Sequence, residues 1–287
     1  MSLLRFLRLL PLLLLLLWVP SDSGKAPLRA PPHNCRLCGV LRGPLTPPVV
    51  LPWILDALRP HGAQNRNGWG VVWFPMPDLD LDPIARRGGP PSHSDTRYPG
   101  VGREAARHLA RAVVGHVRLS TSVLSGIPDP HPFVREGLAF AHNGTINRTA
   151  FHPLVQPHLN RRPVDHRDTL ASSQPELQCI DSELLFIYLL AMREQRNGNT
   201  TAAMKDLAKA VRKVDPLATV NLVVSDGRNL WALSRGGAGN LLRWFHDPFT
   251  HATGVASEGV SPAWWGEIPD WTLLVAGWGK KPKLLKM

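Results

Sequence analysis

A chain of 287 residues has room for one large domain or two small ones, and its 44% hydrophobic content supplies a sizeable core. Charged residues make up only 19%, with no long polar tract, which excludes a largely disordered chain. The formal charge of +11 comes mostly from scattered arginines, so no nucleic-acid partner is expected; the one basic cluster is Lys280, Lys281, Lys283 and Lys286.

At the N-terminus, Arg5 and Arg8 precede an apolar run from Leu9 to Val19 that Pro20 ends. Ser21 and Ser23 then offer small residues for cleavage, the pattern of a secretory signal. The run is about half of the ~20 residues needed to span a bilayer. The expectation is a signal peptide over 1–23, a linker or propeptide over 24–34 and one globular domain over 35–287. The protein would then be exported, periplasmic or extracellular, and would meet a membrane only through an uncleaved leader. Loss of residues 1–23 takes away two arginines and one aspartate and leaves +10.

Residues 36–40 read as a short buried strand. Residues 51–59 carry Leu51, Ile54, Leu55 and Leu58 at helical spacing. Residues 68–74 give a strand, and 75–102 a long loop dense in Pro, Gly, Asp and Arg. A helix is predicted over 103–112, a strand over 113–118, a loop over 122–132 and a strand over 137–142. Residues 151–178 give no clear element. A strong helix follows over 182–193 with Asp181 as its cap, and a second amphipathic helix over 202–214. Strands over 218–225, 229–234 and 271–276 complete the set, the first two joined by an Asp226-Gly227 hairpin. Strands gather towards both ends with helices between them, unlike the regular alternation of a doubly wound parallel sheet. The expected class is α+β, with antiparallel sheets covered by helices.

Cys35, Cys38 and Cys179 are too few for a disulfide framework. The Cys35–Cys38 pair has no second CxxC to complete a zinc site, and the twelve histidines show no tight ligand spacing, so no metal is expected. The chain also lacks a P-loop, which argues against ATP-driven amide transfer within it. Four stretches place polar groups at strand ends: Asn34-Cys35-Arg36, His116-Val117-Arg118-Leu119-Ser120-Thr121, His142-Asn143-Gly144-Thr145 and Asp181-Ser182-Glu183. Taken singly, each has an ordinary structural explanation. Cys35 would be a buried structural cysteine, Asn143-Gly144 a turn, Arg118 a surface-paired cation and Asp181 a helix cap. Asn143, Asn147 and Asn199 also open Asn-x-Thr sequons.

Taken together and in order, these stretches resemble the class II glutamine amidotransferases of the N-terminal-nucleophile hydrolase superfamily. The likeness is to the small stand-alone branch of YafJ-like proteins and γ-glutamyl hydrolases. It rests on Cys-Arg-Leu-Cys-Gly-Val from Cys35, Asn-Gly-Trp-Gly (67–70), His-Val-Arg (116–118) and His131-Pro132-Phe133. It continues through Phe140-Ala141-His142-Asn143-Gly144, Asp181-Ser182-Glu183 and Val224-Ser225-Asp226-Gly227-Arg228.

The resemblance implies a four-layer αββα sandwich of two antiparallel sheets. It implies Cys35 as nucleophile, with its own α-amine as base, and Asn143 and Gly144 as oxyanion donors. Arg118, with Thr121 nearby, would grip the substrate carboxylate and Asp181 its ammonium, while His131, Trp69 and Gly70 would shape the pocket. The substrate would be glutamine or a γ-glutamyl small molecule, with no cofactor. The sequence departs from the family in one respect: 34 residues precede Cys35, so a cut at Asn34–Cys35 is required to expose the nucleophile. A glutaminase subunit of a separate synthase and a non-catalytic exported binding module are the alternative readings.

Overall fold

Apolar residues alternating along strands and recurring at helical spacing sort this chain into layers. The computed structural model describes residues 35–48, 50–76, 82–119, 131–161, 179–237 and 240–287. The leader and linker expectations over 1–34 lie outside these residues, as does Thr121. The described elements run in chain order β1 (Arg36–Leu41), α1 (Val50–Leu58), β2 (Trp69–Phe74), β3 (Ile84–Gly88), α2 (Tyr98–Arg107) and β4 (Ala112–Val117). β5 (Phe133–Arg135), β6 (Leu138–Thr145), α3 (Arg148–Val155), α4 (Asp181–Gln195), α5 (Thr200–Val214), β7 (Thr219–Ser225) and β8 (Asn229–Ser234) follow. The last five are β9 (Leu242–His246), β10 (Thr253–Ser257), β11 (Gly266–Glu267), β12 (Thr272–Gly277) and β13 (Lys283–Lys286).

Two sheets result, with strand orders β11-β9-β10-β1-β4-β2-β3 and β13-β12-β8-β7-β6-β5. Neighbouring strands pair antiparallel in both. Three apolar clusters show how they stack. Leu51, Ile54, Leu55 and Leu58 of α1, with Tyr98, Val101 and Ala105 of α2, pack on Cys38, Val40, Val71 and Val113 of the first sheet. Leu184, Leu185, Leu207 and Val211 of α4 and α5 pack on Phe140, Leu222 and Val224 of the second. Leu37, Leu41, Val72, Val114, Ala139, Ala141 and Val223 fill the space between the sheets. The expected αββα sandwich is therefore the observed one, with the central strands of each sheet buried on both faces.

Several local expectations need correction. The loop over 75–102 contains β3 and the start of α2. Arg86 and Arg87 hide the strand because it lies at a sheet edge, where charge is tolerated. Pro99, Gly100 and Gly102 mask the first turns of α2, although Pro near a helix start fits the missing hydrogen-bond partner there. This helix ends at Arg107, five residues before its predicted end. Within 151–178, a helix and a 3-10 turn (Gln156–Arg161) occupy the described part. Residues 122–130 of the expected 122–132 loop lie outside the described residues.

The strong helix begins at Asp181 rather than after it. Ile180 is the residue before its first turn, and its N–H donates to Glu183 at 2.9 Å. The β7–β8 hairpin does form, with Asp226 Oδ1 accepting from the N–H groups of Arg228 and Asn229. Asn147 and Asn199 cap α3 and α5 through their side-chain oxygens. Among the described residues, no helix is long and apolar enough to cross a membrane.

Candidate active site

The site forms where the alternation of the inter-sheet layer changes from apolar to polar. Cys35 directly precedes β1 on the face that Leu37 and Leu41 present to the other sheet. Continuing the β1–β4 register from Arg36↔Val117 sets Cys35 opposite Arg118. The Arg118 N–H donates to Gly68 O at 3.0 Å, and the Asn67 N–H donates to Arg118 O at 3.0 Å. These bonds carry the β4–β2 pairing past the strand ends and fix Arg118 beside the cysteine. Arg118 is buried.

The Cys35 side chain is half-buried. Its Sγ accepts from the Leu119 N–H at 3.2 Å and reaches Leu119 O at 3.3 Å. Burial pushes the thiol above its ordinary 9.0. The Leu119 hydrogen bond and the Arg118 charge act against that rise, and Asp181 adds to it. Arg118 and Asp181 are therefore both near enough to act on the sulfur. Cys38 lies three residues along an extended strand and so faces the helix layer among Leu55, Leu58 and Tyr98. Burial pushes its thiol up to about 12. The two cysteines carry free thiols on opposite faces, a geometry unsuited to a disulfide.

On the opposite sheet, Ala139 and Ala141 of β6 face the inter-sheet layer, and Asn143 continues that face. Asn143-Gly144 is thus strand rather than turn. The Asn143 carboxamide is buried and donates through Nδ2 to Asn240 Oδ1 at 3.2 Å. At Gly144 a Cβ would stand 1.9 Å from Thr219 O and 2.8 Å from His142 Nε2, so only glycine lets β7 approach there. His142 points to the other face and hydrogen-bonds Ser182 Oγ of α4 at 2.8 Å through Nδ1. Burial holds its pKa down, against the opposing charge of Asp181. Asp181 is half-buried in the first turn of α4, and its Oδ1 accepts from the Ser182 N–H at 2.8 Å.

A cavity of about 240 Å³ begins at Arg118 and extends over β2 and β3, lined by Asn67, Gly68, Trp69, Arg87, Arg97, His116 and His131, among others. His131 Nδ1 lies 3.3 Å from His116 Nε2. Burial, then Arg118 and His142, push His116 down to about 3, so it is neutral at physiological pH. Gly70, opposite His116 in β4, lies under the His131 carbonyl. Trp69 anchors the cavity wall. Its indole N–H donates to Asp95 at 2.9 Å, and its ring meets Tyr98 edge-on. Arg97 pairs with the same carboxylate at 2.7 Å. Trp69, His131 and Arg118 thus line one cavity, Gly70 lies behind it against the His131 carbonyl, and Cys35 and Asp181 stand within electrostatic reach of Arg118 or the thiol.

Sequence reasoning missed Asp95, Arg87, Arg97, Asn221 and Asn240. Arg87 and Arg97 belong to the segment read as loop; the missing signals were the pairing of β3 with β2 and the position of Arg97 at the start of α2. Asn240 stands ninety-seven residues from its partner, beyond any local spacing rule.

Comparison with known proteins shows the family and the fold. The family model "Glutamine amidotransferases class-II" matches residues 47–258, beginning downstream of Cys35. A γ-glutamyl-hercynylcysteine sulfoxide hydrolase from Mycobacterium tuberculosis is 27% identical over 214 residues, covering 73% of this chain and 75% of that protein. A glutamine aminotransferase class-II domain protein from Silicibacter pomeroyi superposes with a TM-score of 0.53 at 18% identity, over 88% of this chain and 99% of that one. The glutamine phosphoribosylpyrophosphate amidotransferase of B. subtilis gives 0.56 at 17% identity, over 88% of this chain and 49% of its own length. At these identities the two structures bear on the fold alone.

Proposed function

This chain belongs to the class-II glutamine amidotransferases, and from that premise we propose that it hydrolyses the side-chain amide of glutamine or of a γ-glutamyl compound through a thioester on Cys35. The observation that carries the proposal is the placement of the Cys35 thiol beside Arg118 and within electrostatic reach of Asp181, at the end of an apolar layer whose facing strand β6 continues to the buried Asn143 carboxamide.

In the full-length chain the Cys35 nitrogen is tied up in the peptide bond to Asn34, and burial keeps the thiol protonated. We propose that residues 1–23 direct export and that a cut at Asn34–Cys35 frees the α-amine, whose pKa of ~8 suits a base near neutrality. The amine takes the thiol proton. The sulfur attacks the γ-carbonyl carbon, a C–S bond forms, and the carbonyl electron pair moves onto oxygen. Asn143 Nδ2 and the Gly144 N–H stabilise that oxyanion. When the oxyanion collapses, the C–N bond breaks and the departing amine takes the proton from the α-ammonium. Water, giving its proton to the α-amine, then cleaves the thioester, releasing glutamate and the free thiol. Arg118 grips the substrate α-carboxylate with its planar fork, Asp181 holds the ammonium, and Thr121 assists.

The test is release of ammonia or amine from glutamine and γ-glutamyl amides by the chain that begins at Cys35. Turnover that disappears in Cys35→Ala is expected; full turnover in Cys35→Ala would contradict the mechanism. The tied-up nitrogen and raised thiol favour a second reading, an exported binding module, if residues ahead of Cys35 persist in the mature protein.

A further inference from the structure

We propose that Asn240 is a positioning residue that sets the orientation of the Asn143 carboxamide, through a buried network joining Asn143, Asn240 and Asn221; this rests on the function proposed above. Asn143 of β6 stands opposite Asn221 of β7 in the ladder, and both face the inter-sheet layer. Asn221 Nδ2 donates to the Asn240 backbone O at 2.6 Å, and Asn221 Oδ1 accepts from the Arg235 N–H at 3.2 Å. Asn240 Oδ1 in turn accepts from Asn143 Nδ2 at 3.2 Å. All three asparagines are buried, Asn221 completely.

A carboxamide has a broad torsion about its last bond and two chemically different ends. Only the end that carries N–H groups can stabilise an oxyanion. The acceptor on Asn240 claims one N–H of Asn143, which fixes the nitrogen on that side and leaves the second N–H for the substrate oxygen. In the opposite orientation the Asn143 oxygen would face the Asn240 oxygen in a buried, weakly screened place.

The chain around Asn240 is built to hold this arrangement. Asn240 lies in the connection from β8 to β9, which crosses from one sheet to the other. Asp270 secures the start of that connection, accepting from Arg235 Nη1 at 2.8 Å and from the Gly236 N–H at 3.2 Å. A Cβ at Gly236 would stand 1.8 Å from the Asn240 carbonyl and 2.7 Å from Asn221 Nδ2, so the connection closes over Asn221 only because residue 236 is glycine. The oxyanion donor on one sheet is thereby tied to the segment that links the two sheets.

The experiment compares Asn240→Leu, which is similar in size and accepts nothing, with Asn240→Asp, which accepts but cannot donate and so enforces the same Asn143 orientation. Thermal unfolding identifies variants that fold; Asn240→Ala replaces Asn240→Leu if the latter does not. The leucine variant should lose roughly tenfold in kcat with KM within about twofold, less than the ~10²–10³ expected for losing the donor itself. The aspartate variant should recover most of that loss. In an Asn143→Ala background, Asn240→Leu should produce no further fall, because the group it orients is gone.

An Asn240→Leu enzyme with unchanged kcat overturns the inference. Equal losses in the leucine and aspartate variants, or additive losses in the double variant, do the same. A wild-type chain beginning at Cys35 that hydrolyses neither glutamine nor γ-glutamyl amides instead overturns the function on which the inference rests.

Discussion

The two ends of the inter-sheet layer are made by the same strands and differ in almost every property. At one end Leu37, Leu41, Val72, Val114, Ala139, Ala141 and Val223 make a dry contact between sheets. Two residues further along the same faces stand Cys35, Gly70, His116, Asn143 and Asn221, with Arg118 two beyond His116. Because side chains alternate along a strand with a period of two, each strand that builds the core also delivers one group to the site. The rigid apolar end fixes the register, and the register fixes which polar groups meet. A one-residue slip of β1 would exchange Cys35 for Arg36 and Leu37 for Cys38 together.

The largest effects should come from groups that differ across this boundary. Cys35→Ala should lower hydrolysis by at least about 10³-fold. Cys38→Ala, on the opposite face of β1, should leave turnover within a few-fold while lowering the unfolding midpoint, because it opens space against Leu55 and Leu58. Next comes the boundary on β6. Asn143→Ala should reduce kcat by ~10²–10³ with KM little changed. Two residues back, Ala141→Asn should cost roughly 1–3 kcal/mol of stability by burying a carboxamide where only apolar groups wait. If Ala141→Asn unfolds no more readily than wild type, the apolar end is less tightly packed than described.

Thiol reactivity sharpens the contrast at lower cost. Burial raises both thiols, Cys38 to about 12, so neutral-pH alkylation should label Cys35 and spare Cys38. In a chain extended ahead of Cys35 the labelling rate should keep rising with pH beyond the point at which an ordinary thiol levels off, because burial raises this one. In the chain beginning at Cys35, hydrolysis should rise through ~8 as the α-amine loses its proton.

The smallest effect concerns the cavity wall. Hydrogen bonds from the Arg97 side chain, above all, hold Asp95 down to about 2, below its ordinary 3.8. A depressed folded pKa contributes stability that is present above about pH 4 and is lost as pH falls through about 2. Asp95→Asn should remove that acid-dependent step and cost about 1–3 kcal/mol near neutrality, since Trp69 and Arg97 lose a charged acceptor. Urea unfolding at pH 7 and pH 3 measures both.

How much of this was legible depended on whether the signal was local. β1, β2, β7, β8 and the two long helices carry apolar periodicity or a hairpin turn that a sequence displays, whereas the four-layer αββα arrangement followed from the family resemblance. β10 does not. Its Thr-Gly-Val-Ala-Ser gives a weak strand signal, and its glycine is required because Phe245 and Trp265 crowd Gly254 from neighbouring segments. β3 was hidden by its arginines, and β13 by the lysines read only as a basic cluster, although charge suits a sheet edge. The same division holds for the site. Cys35, Arg118, Asn143 and Asp181 stand in recognisable short stretches, whereas Asn240 and Asn221 acquire meaning only when a connection between sheets brings them to Asn143.

The measurement that tests the central claim most directly is the intact mass and N-terminal sequence of the protein purified from its native host. The account predicts a mature chain whose first residue is Cys35, with a free α-amine beside the thiol. A mature chain that keeps residues ahead of Cys35 would leave the nucleophile without its base, contradict the hydrolase mechanism and favour a binding role for the same site.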